Sequence, residues 1–228
     1  INFNLSDFKV SNFVSNPYVI AVMVEFQEEI PNNPLTSGTG SFLSELDIEM
    51  IWDQSIGSRC NGFIVDRPPH NVNYFNSQIQ AISNYFSAAS NNNINLEGHV
   101  ISNPNHNKGY YKLSKEMELY SYSDITLAKL FKESLELAKD DIESYLDSNS
   151  DINFNDIIFT IFHAGIGQDF SFPTFDPTVY DIKSAYLEPD MFGNIDYPTI
   201  NGFDVTSGIL LPETQNMIFF SSIEDIFY

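Results

Sequence analysis

The sequence predicts an α/β (α+β) domain in which a mixed twisted sheet packs against helices. Residues 18–26 and 157–163 are continuous apolar runs of strand length, a pattern typical of strands that are buried on both faces. Between these two runs, apolar residues recur at spacings of three and four in two longer segments, which indicates amphipathic helices. Helices placed between buried strands indicate one layered α/β structure.

The first predicted elements are an arm, a helix and a strand. Residues 1–17 are polar and rich in asparagine, and we interpret them as an arm or linker before a single domain that covers residues 18–228. After the strand at residues 18–26, a helix is predicted from its apolar face, which consists of Val72, Phe75, Ile79, Ile82, Phe86 and Ala89. A strand at residues 95–101 follows this helix.

The second half of the chain is predicted to begin with a long helix. Either Ser123 or Asp124 can cap its N terminus. Its buried face is predicted to consist of Leu127, Phe131, Leu135, Ala138, Ile142 and Leu146. The strand at residues 157–163 is apolar on both faces and should therefore be central in the sheet. Residues 182–187 and 215–223 are further candidate strands, and residues 193–208 are rich in loop-forming residues.

The charge of the chain excludes some classes of partner. Its 31 acidic and 10 basic residues give a formal net charge of -21, which repels phosphate backbones and anionic lipid surfaces. The negative charge fits three roles, which are solubility, calcium binding and the binding of a basic partner. No apolar run approaches the roughly 18 residues of a membrane span, so no membrane anchor is predicted. The single cysteine, Cys60, cannot form an intrachain disulfide.

Two glycine- and aspartate-containing motifs do not meet the requirements of the sites that they resemble. The third glycine of a dinucleotide-binding loop that starts at Gly165 is replaced by Phe170, and no helical pattern follows. Residues 147–151 begin like a calcium loop, but Ile152 and Ile158 stand where glycine and glutamate are required. We interpret residues 147–151 as a turn. Calcium remains possible through a separate group of acids, namely Asp169, Asp176 and Asp181.

The histidines do not form a zinc-binding motif. The four are His70, His99, His106 and His163, and none belongs to a His-Glu-x-x-His sequence. That spacing places two imidazoles on one helical face and a glutamate beside the zinc-bound water. His163, at the end of the predicted central strand, is the only one placed like a site residue, and a structural role is favoured for it.

Several segments, read in order, resemble one family of enzymes. The strand at residues 18–26 followed by SGTGSF, the block RPPHNVNYFNSQIQAISNYFSAASNNNINLEGHV and the segment YYKLS are similar to consecutive blocks of that family. The stretch HAGIGQD is the most specific match. Together these segments resemble the catalytic domain of secreted zinc metallopeptidases of the immune-inhibitor-A type, over residues 18–214. The resemblance implies a zincin-like N-terminal subdomain and an extracellular, secreted protein.

The resemblance transfers few site residues. In that family the zinc-binding helix lies beyond these blocks, so no catalytic or metal-binding position is carried over. The motif is expected to form a loop with a structural or cleft-lining role, and its residues are His163, Ala164, Gly165, Gly167, Gln168 and Asp169. Zinc is expected in a full-length enzyme of this family but not in this chain. A zincin binds its substrate peptide along a sheet edge, and residues 182–187 are the candidate for an element near that cleft.

Two functions follow from the resemblance. The first is that the chain forms the N-terminal portion of a zinc metalloendopeptidase-like domain, which hydrolyses peptide bonds in the full-length protein and is inactive as this chain alone. The second is a non-catalytic extracellular binding or surface protein on the same scaffold. The first expects the chain to be a fragment, whereas the second expects a complete protein without the zinc helix.

Overall fold

The computed structural model describes residues 15–28, 35–44, 68–168 and 178–215. Within these ranges the α-helices are α1 (Val72–Ala89), α2 (Glu118–Ser121) and α3 (Asp124–Ser148). The strands are β1 (Tyr18–Glu25), β2 (Glu97–Ile101), β3 (Tyr111–Lys112), β4 (Ile157–Gly167), β5 (Ala185–Leu187), β6 (Thr199–Ile200), β7 (Phe203–Asp204) and β8 (Gly208–Gln215). This mixture of helices and strands confirms the predicted α/β class.

The main sheet of the described residues contains six strands. Five of them lie side by side in the order β2, β1, β4, β8, β5, and β3 pairs with the end of β1. β2, β3 and β4 are parallel to β1, and β8 is parallel to β4, whereas β5 is antiparallel to β8. The sheet is therefore mixed, as predicted. Because parallel strands end on the same side, β1, β4 and β8 share one carboxyl end of the sheet.

The central strands are buried on both faces, as their sequences predict. In β1 the five consecutive residues from Ile20 to Val24 are fully buried, although neighbouring side chains point to opposite faces. β4 lies between β1 and β8, which confirms that it is central. Such continuous apolar strands need cover on both sides, and the helices supply part of that cover.

Helix α3 agrees with its prediction in both its cap and its buried face. Ser123, rather than Asp124, is the N-cap residue, and its Oγ accepts a hydrogen bond from the Thr126 N–H at 3.3 Å. In return, the Ser123 N–H donates to Thr126 Oγ1 at 2.8 Å. These two bonds satisfy N–H groups that have no partner within the helix. All six residues predicted for the buried face are buried.

Helix α1 has the predicted bounds, but only the first half of its predicted apolar face is buried or half-buried, with Val72 half-buried. Phe75 and Ile79 are buried, whereas Ile82, Phe86 and Ala89 are exposed, so the prediction is wrong for the second half. The helix packs on β2. A helix of this length measures about 27 Å, while a five-residue strand spans about 17 Å. The end of α1 therefore extends past the strand that covers its beginning.

The strand predictions differ from the structure at their ends. β4 extends four residues beyond the predicted limit, to Gly167, and β5 covers only the last three residues of the predicted 182–187. β8 was not predicted over most of its length, because Pro212 and Glu213 interrupt its apolar pattern. The predicted strand at residues 215–223 lies, except for Gln215, outside the described residues.

Candidate functional site: a buried carboxylate at the carboxyl end of the sheet

A glutamate lies buried where the parallel strands end. In β8 the residues Gly208, Leu210 and Pro212 are buried, and their neighbours Ile209 and Leu211 are partly exposed. The next residue should therefore be partly exposed, as in any strand with one covered face. Glu213 departs from this alternation because it is buried, and a buried carboxylate needs hydrogen-bond partners.

The Glu213 carboxylate binds three other segments of the chain. Oε1 accepts a hydrogen bond from the Leu43 N–H at 2.6 Å and lies 2.6 Å from Nδ1 of His70. Oε2 accepts a hydrogen bond from the Gly165 N–H at 3.0 Å. We call Glu213, His70, Leu43 and Gly165 the Glu213 cluster. It joins β8 to the end of β4 and to the segments at residues 35–44 and 68–70.

Opposing effects act on the protonation of Glu213. Burial raises the pKa of its carboxyl group, because the charged form loses water. The hydrogen bonds from His70, Gly165 and Leu43 lower this pKa, because they favour the charged form. Burial is the larger effect, so the pKa of Glu213 lies above its ordinary value of 4.5.

The His70 ring is held by its surroundings. The backbone N–H of His70 donates to the Leu43 carbonyl at 3.1 Å, and the Tyr110 hydroxyl donates to the backbone carbonyl of His70 at 3.0 Å. The Tyr74 ring lies against the imidazole, with 4.4 Å between the ring centroids. A histidine oriented by a carboxylate is a common arrangement in catalytic sites. Here both side chains are buried, so the pair holds segments together and does not reach a substrate in this conformation.

A second link joins the same part of the fold. The Ser37 N–H donates to Oδ1 of Asp181 at 2.6 Å, and the Ile166 N–H donates to Ser37 Oγ at 2.8 Å. Gly165 has a φ of +93°, and a Cβ atom there would lie 2.5 Å from Met117 Cε. Glycine is therefore favoured at the irregularity of β4 by its backbone conformation, whereas the flexible Met117 side chain could move away from a Cβ atom.

The sequence motif HAGIGQD lies mostly within a strand rather than in a loop. His163, Ala164, Gly165 and Gly167 belong to β4, which resumes pairing with β8 after an irregularity between His163 and Ile166. The pairing continues because β8 extends equally far. Gln168 follows the strand, and its N–H donates to the Ile182 carbonyl at 3.4 Å. Asp169 lies outside the described residues.

His163 belongs to the core and not to an accessible site. It is fully buried, and its Nδ1 lies 3.0 Å from the carbonyl oxygen of Ala164. The Phe26 ring contacts it edge-on at a centroid distance of 5.8 Å. Gly165 of this motif belongs to the Glu213 cluster through its backbone N–H.

Sequence reasoning did not identify the central members of this cluster. The sequence analysis assigned no role to Glu213, and it treated His70 only as one of four histidines outside a zinc-binding motif. One signal could have found Glu213, namely that it is the single charged residue in the strand GILLPETQ. A carboxylate in such a strand indicates a buried partner, but nothing local indicates that the partner is His70.

Two adjoining clefts of about 500 Å³ and 560 Å³ open beside the carboxyl end of the sheet. Both are lined by Ser44, Asn107 and Lys108. In the second cleft, Glu25 accepts a hydrogen bond from the Phe42 N–H at 3.0 Å. Hydroxyl, amide and charged groups of this kind can bind a polar ligand or a peptide backbone.

No group of three or more His, Cys, Asp or Glu side chains in the described ranges could hold a metal ion. Of the three acids considered for calcium, Asp181 accepts a hydrogen bond from Ser37, and Asp169 and Asp176 lie outside those ranges. The described part of the chain therefore does not supply the ligands of a zinc site.

Strand β5 forms the other end of the sheet from β2. It pairs with β8 on one side, with Ala185 opposite Leu210 and Leu187 opposite Gly208. Among the described residues, no strand pairs with its other side. Tyr186, in the middle of β5, is 60% exposed. An edge strand of this kind can pair with an extended peptide.

Comparison with known proteins gave no relative: no family model, no curated protein and no solved structure matches this chain. In the part of the chain that the structure describes, no helix has both the length and the apolar composition to cross a membrane.

Proposed function

We propose that this chain forms the N-terminal portion of a secreted zinc metalloendopeptidase-like domain, in which β5 binds the substrate peptide as an added strand. The observation that carries the proposal is the position of β5 at the edge of the sheet that the described residues form, antiparallel to β8, with Tyr186 exposed. A peptide that extends the sheet there would gain main-chain hydrogen bonds, and its side chains would contact those of the edge strand. The resemblance of the sequence to immune-inhibitor-A-type peptidases supplies the reaction class.

The arrangement around β5 supports this use of the edge. β5 joins the sheet through β8, and β8 is held to β4 and to two further segments by the Glu213 cluster. Asp181, just before β5, is bound by Ser37. An edge strand that is supported by such links presents its backbone in a fixed geometry, which lowers the entropy lost on peptide binding.

The same edge supports a second function, a non-catalytic extracellular binding protein, because pairing with a peptide needs no metal. The two functions share the peptide-binding step and differ only in whether the peptide is cleaved. They are therefore separated by experiments on the protein made from its complete reading frame.

The first experiment measures the zinc content and the casein-cleaving activity of that protein, with and without a chelator. The peptidase proposal expects about one tightly bound zinc ion per protein, as in a mononuclear zinc site, and cleavage that the chelator abolishes. Peptide binding without zinc and without cleavage would favour the binding protein instead. Absence of both binding and cleavage would refute the two functions together.

The second experiment tests the role of β5. Replacement of Tyr186 with alanine should raise the KM for a peptide substrate, or its Kd, roughly fivefold to tenfold, because truncating an exposed interface tyrosine commonly costs more than 1 kcal/mol. The matched control is Tyr85→Ala, which removes an equally exposed tyrosine from α1, beside the opposite edge of the sheet. Equal effects of the two replacements would contradict binding along β5.

A further inference from the structure

The first of the two clefts beside the carboxyl end of the sheet, the one of about 500 Å³, differs in charge from the molecule as a whole. The chain carries a formal net charge of -21, yet no acidic residue is found among the described residues that line this cleft. Lys108 is the one charged residue among them. A cleft lined by a single sign of charge concentrates ligands of the opposite charge. The ligand indicated by this cleft is therefore an anion.

The ammonium group of Lys108 is available to such a ligand. Within the described residues, the lysines that form an ion pair are Lys112, Lys132 and Lys139. Lys108 is exposed and forms no ion pair with a described residue. Glu25, which lines the second cleft, instead lies 3.9 Å from Lys112 and accepts a hydrogen bond from the Phe42 N–H. The charge of Lys108 can therefore form a charge-assisted hydrogen bond to an anion.

The loop that carries Lys108 is fixed by its own hydrogen bonds. The backbone N–H groups of Lys108 and Tyr110 donate to Nδ1 of His106 at 3.4 Å and 3.2 Å. The Asn103 N–H donates to the Gly109 carbonyl at 3.0 Å, and the Gly109 N–H donates to the His106 carbonyl at 2.9 Å. Because the backbone is already held, little of its freedom is lost when a ligand binds, and this favours affinity.

The other polar groups of the first cleft add hydrogen-bond donors. Asn71 is the N-cap residue of α1, and its Oδ1 accepts the N–H groups of Asn73 at 3.0 Å and Tyr74 at 3.1 Å. The side-chain NH₂ group of Asn71 therefore remains as a donor, and a lysine ammonium has donors only. Hydroxyl and amide groups also line the cleft, on Ser44, Asn73, Ser102 and Asn107. A ligand rich in oxygen acceptors matches these groups.

We propose that the first cleft binds a small polar molecule that carries one carboxylate or phosphate group. Lys108 contacts that group, and the amide and hydroxyl groups of the cleft contact the rest of the molecule. The cleft volume of about 500 Å³ lies in the range of small-molecule sites. The acidic chain repels anions of high charge, so a ligand with one anionic group is expected. The proposal is independent of the peptidase function, because no described lining residue of the cleft belongs to β5 or β8.

The test is calorimetric titration of the full chain with three related probes, namely gluconate, glucose 6-phosphate and uncharged glucose. At least one of the two acids should bind roughly tenfold or more tightly than glucose, because hydrogen bonds to charged groups are the stronger ones. Lys108→Gln should remove this difference, whereas Lys108→Arg keeps the charge and should retain most of it. The matched control, Lys129→Gln, removes an exposed lysine of α3 that lines neither cleft and should leave the affinities unchanged.

Hydrogen exchange with and without the bound acid locates the site, since binding should slow exchange at residues 102–110. Binding of gluconate alone or of glucose 6-phosphate alone would support the proposal and identify the anionic group. The proposal would be overturned if neither acid bound more tightly than glucose, or if Lys108→Gln and Lys129→Gln had equal effects. Slower exchange confined to segments away from the cleft would overturn it as well. Circular dichroism checks that each variant is folded, which is expected because both lysines are exposed.

Discussion

Replacing Glu213 with alanine removes the acceptor that three parts of the fold share. The N–H groups of Leu43 and Gly165 and the ring of His70 all bind this carboxylate, and His70 and Glu213 are buried. A buried donor that loses its acceptor costs about 1–3 kcal/mol, and the loss of one partner of a buried pair costs about 3–5 kcal/mol. These contributions overlap, so we expect the free energy of unfolding to fall by about 3–5 kcal/mol.

Urea unfolding followed by circular dichroism measures this change. With a slope of about 2–3 kcal/mol per M, the midpoint should fall by roughly 1–2.5 M. Glu213→Gln keeps the shape and one acceptor oxygen, and it should cost less, about 1–3 kcal/mol. The control is Glu136→Ala, which removes an exposed carboxylate 3.6 Å from Lys132 and should change stability by less than about 0.5 kcal/mol.

The reasoning about the Glu213 cluster would be refuted by a small effect. If Glu213→Ala cost less than about 1 kcal/mol with an unchanged slope, the carboxylate would not be an important link between these segments. An increase in stability would mean that the cost of burying the charge exceeds the value of its hydrogen bonds, as happens for some buried ion pairs.

Three further predictions concern other parts of the sheet and its helices. Burial lowers the pKa of His99 below 6.5, because it disfavours the charged imidazole. The stability that the neutral His99 side chain contributes is therefore complete above pH 6.5 and is lost as the pH falls through the lowered pKa. His99→Phe should weaken the loss of stability between about pH 7 and pH 5, and an unchanged pH dependence would contradict this. Gly208→Ala places a Cβ against the Phe131 ring and 2.8 Å from the Phe159 carbonyl oxygen, and it should cost about 1–3 kcal/mol; the melting temperature should therefore fall, and an unchanged melting temperature would contradict the steric clash. Tyr111→Phe removes a 2.7 Å hydrogen bond to the Asp141 carboxylate and should lower the free energy of urea unfolding by about 1.5–3 kcal/mol, whereas no loss would show that the bond is not stabilising.

Local patterns in the sequence predicted the central elements of the fold. The apolar runs of β1 and β4 predicted buried strands, because a strand covered on both faces needs apolar residues at every position. The face of α3 was predicted residue by residue, since its spacing matches the helical repeat over about five turns and a serine precedes it. These predictions depend only on residues that are neighbours along the chain.

The candidate site could not be predicted in this way. Glu213 and His70 are 143 residues apart, and no sequence motif contains both residues. Their contact exists because β8 pairs with β4 and because the segment at residues 68–70 packs over the ends of these strands. A sequence pattern can indicate that a carboxylate in an apolar strand needs a partner, but only the pairing of the strands decides which group is within reach.

The same distinction explains what the sequence by itself determined about this protein. It determined the α/β class, the central strands, the long helix and the negative charge, because composition and periodicity report how each segment can be buried. The tertiary structure alone decided that β5 is the last strand of the sheet formed by the described residues, that β8 buries a carboxylate and that Ile82 and Phe86 of α1 are exposed. These features depend on which distant segments pack together and how far each extends, and neither property is encoded in a local repeat.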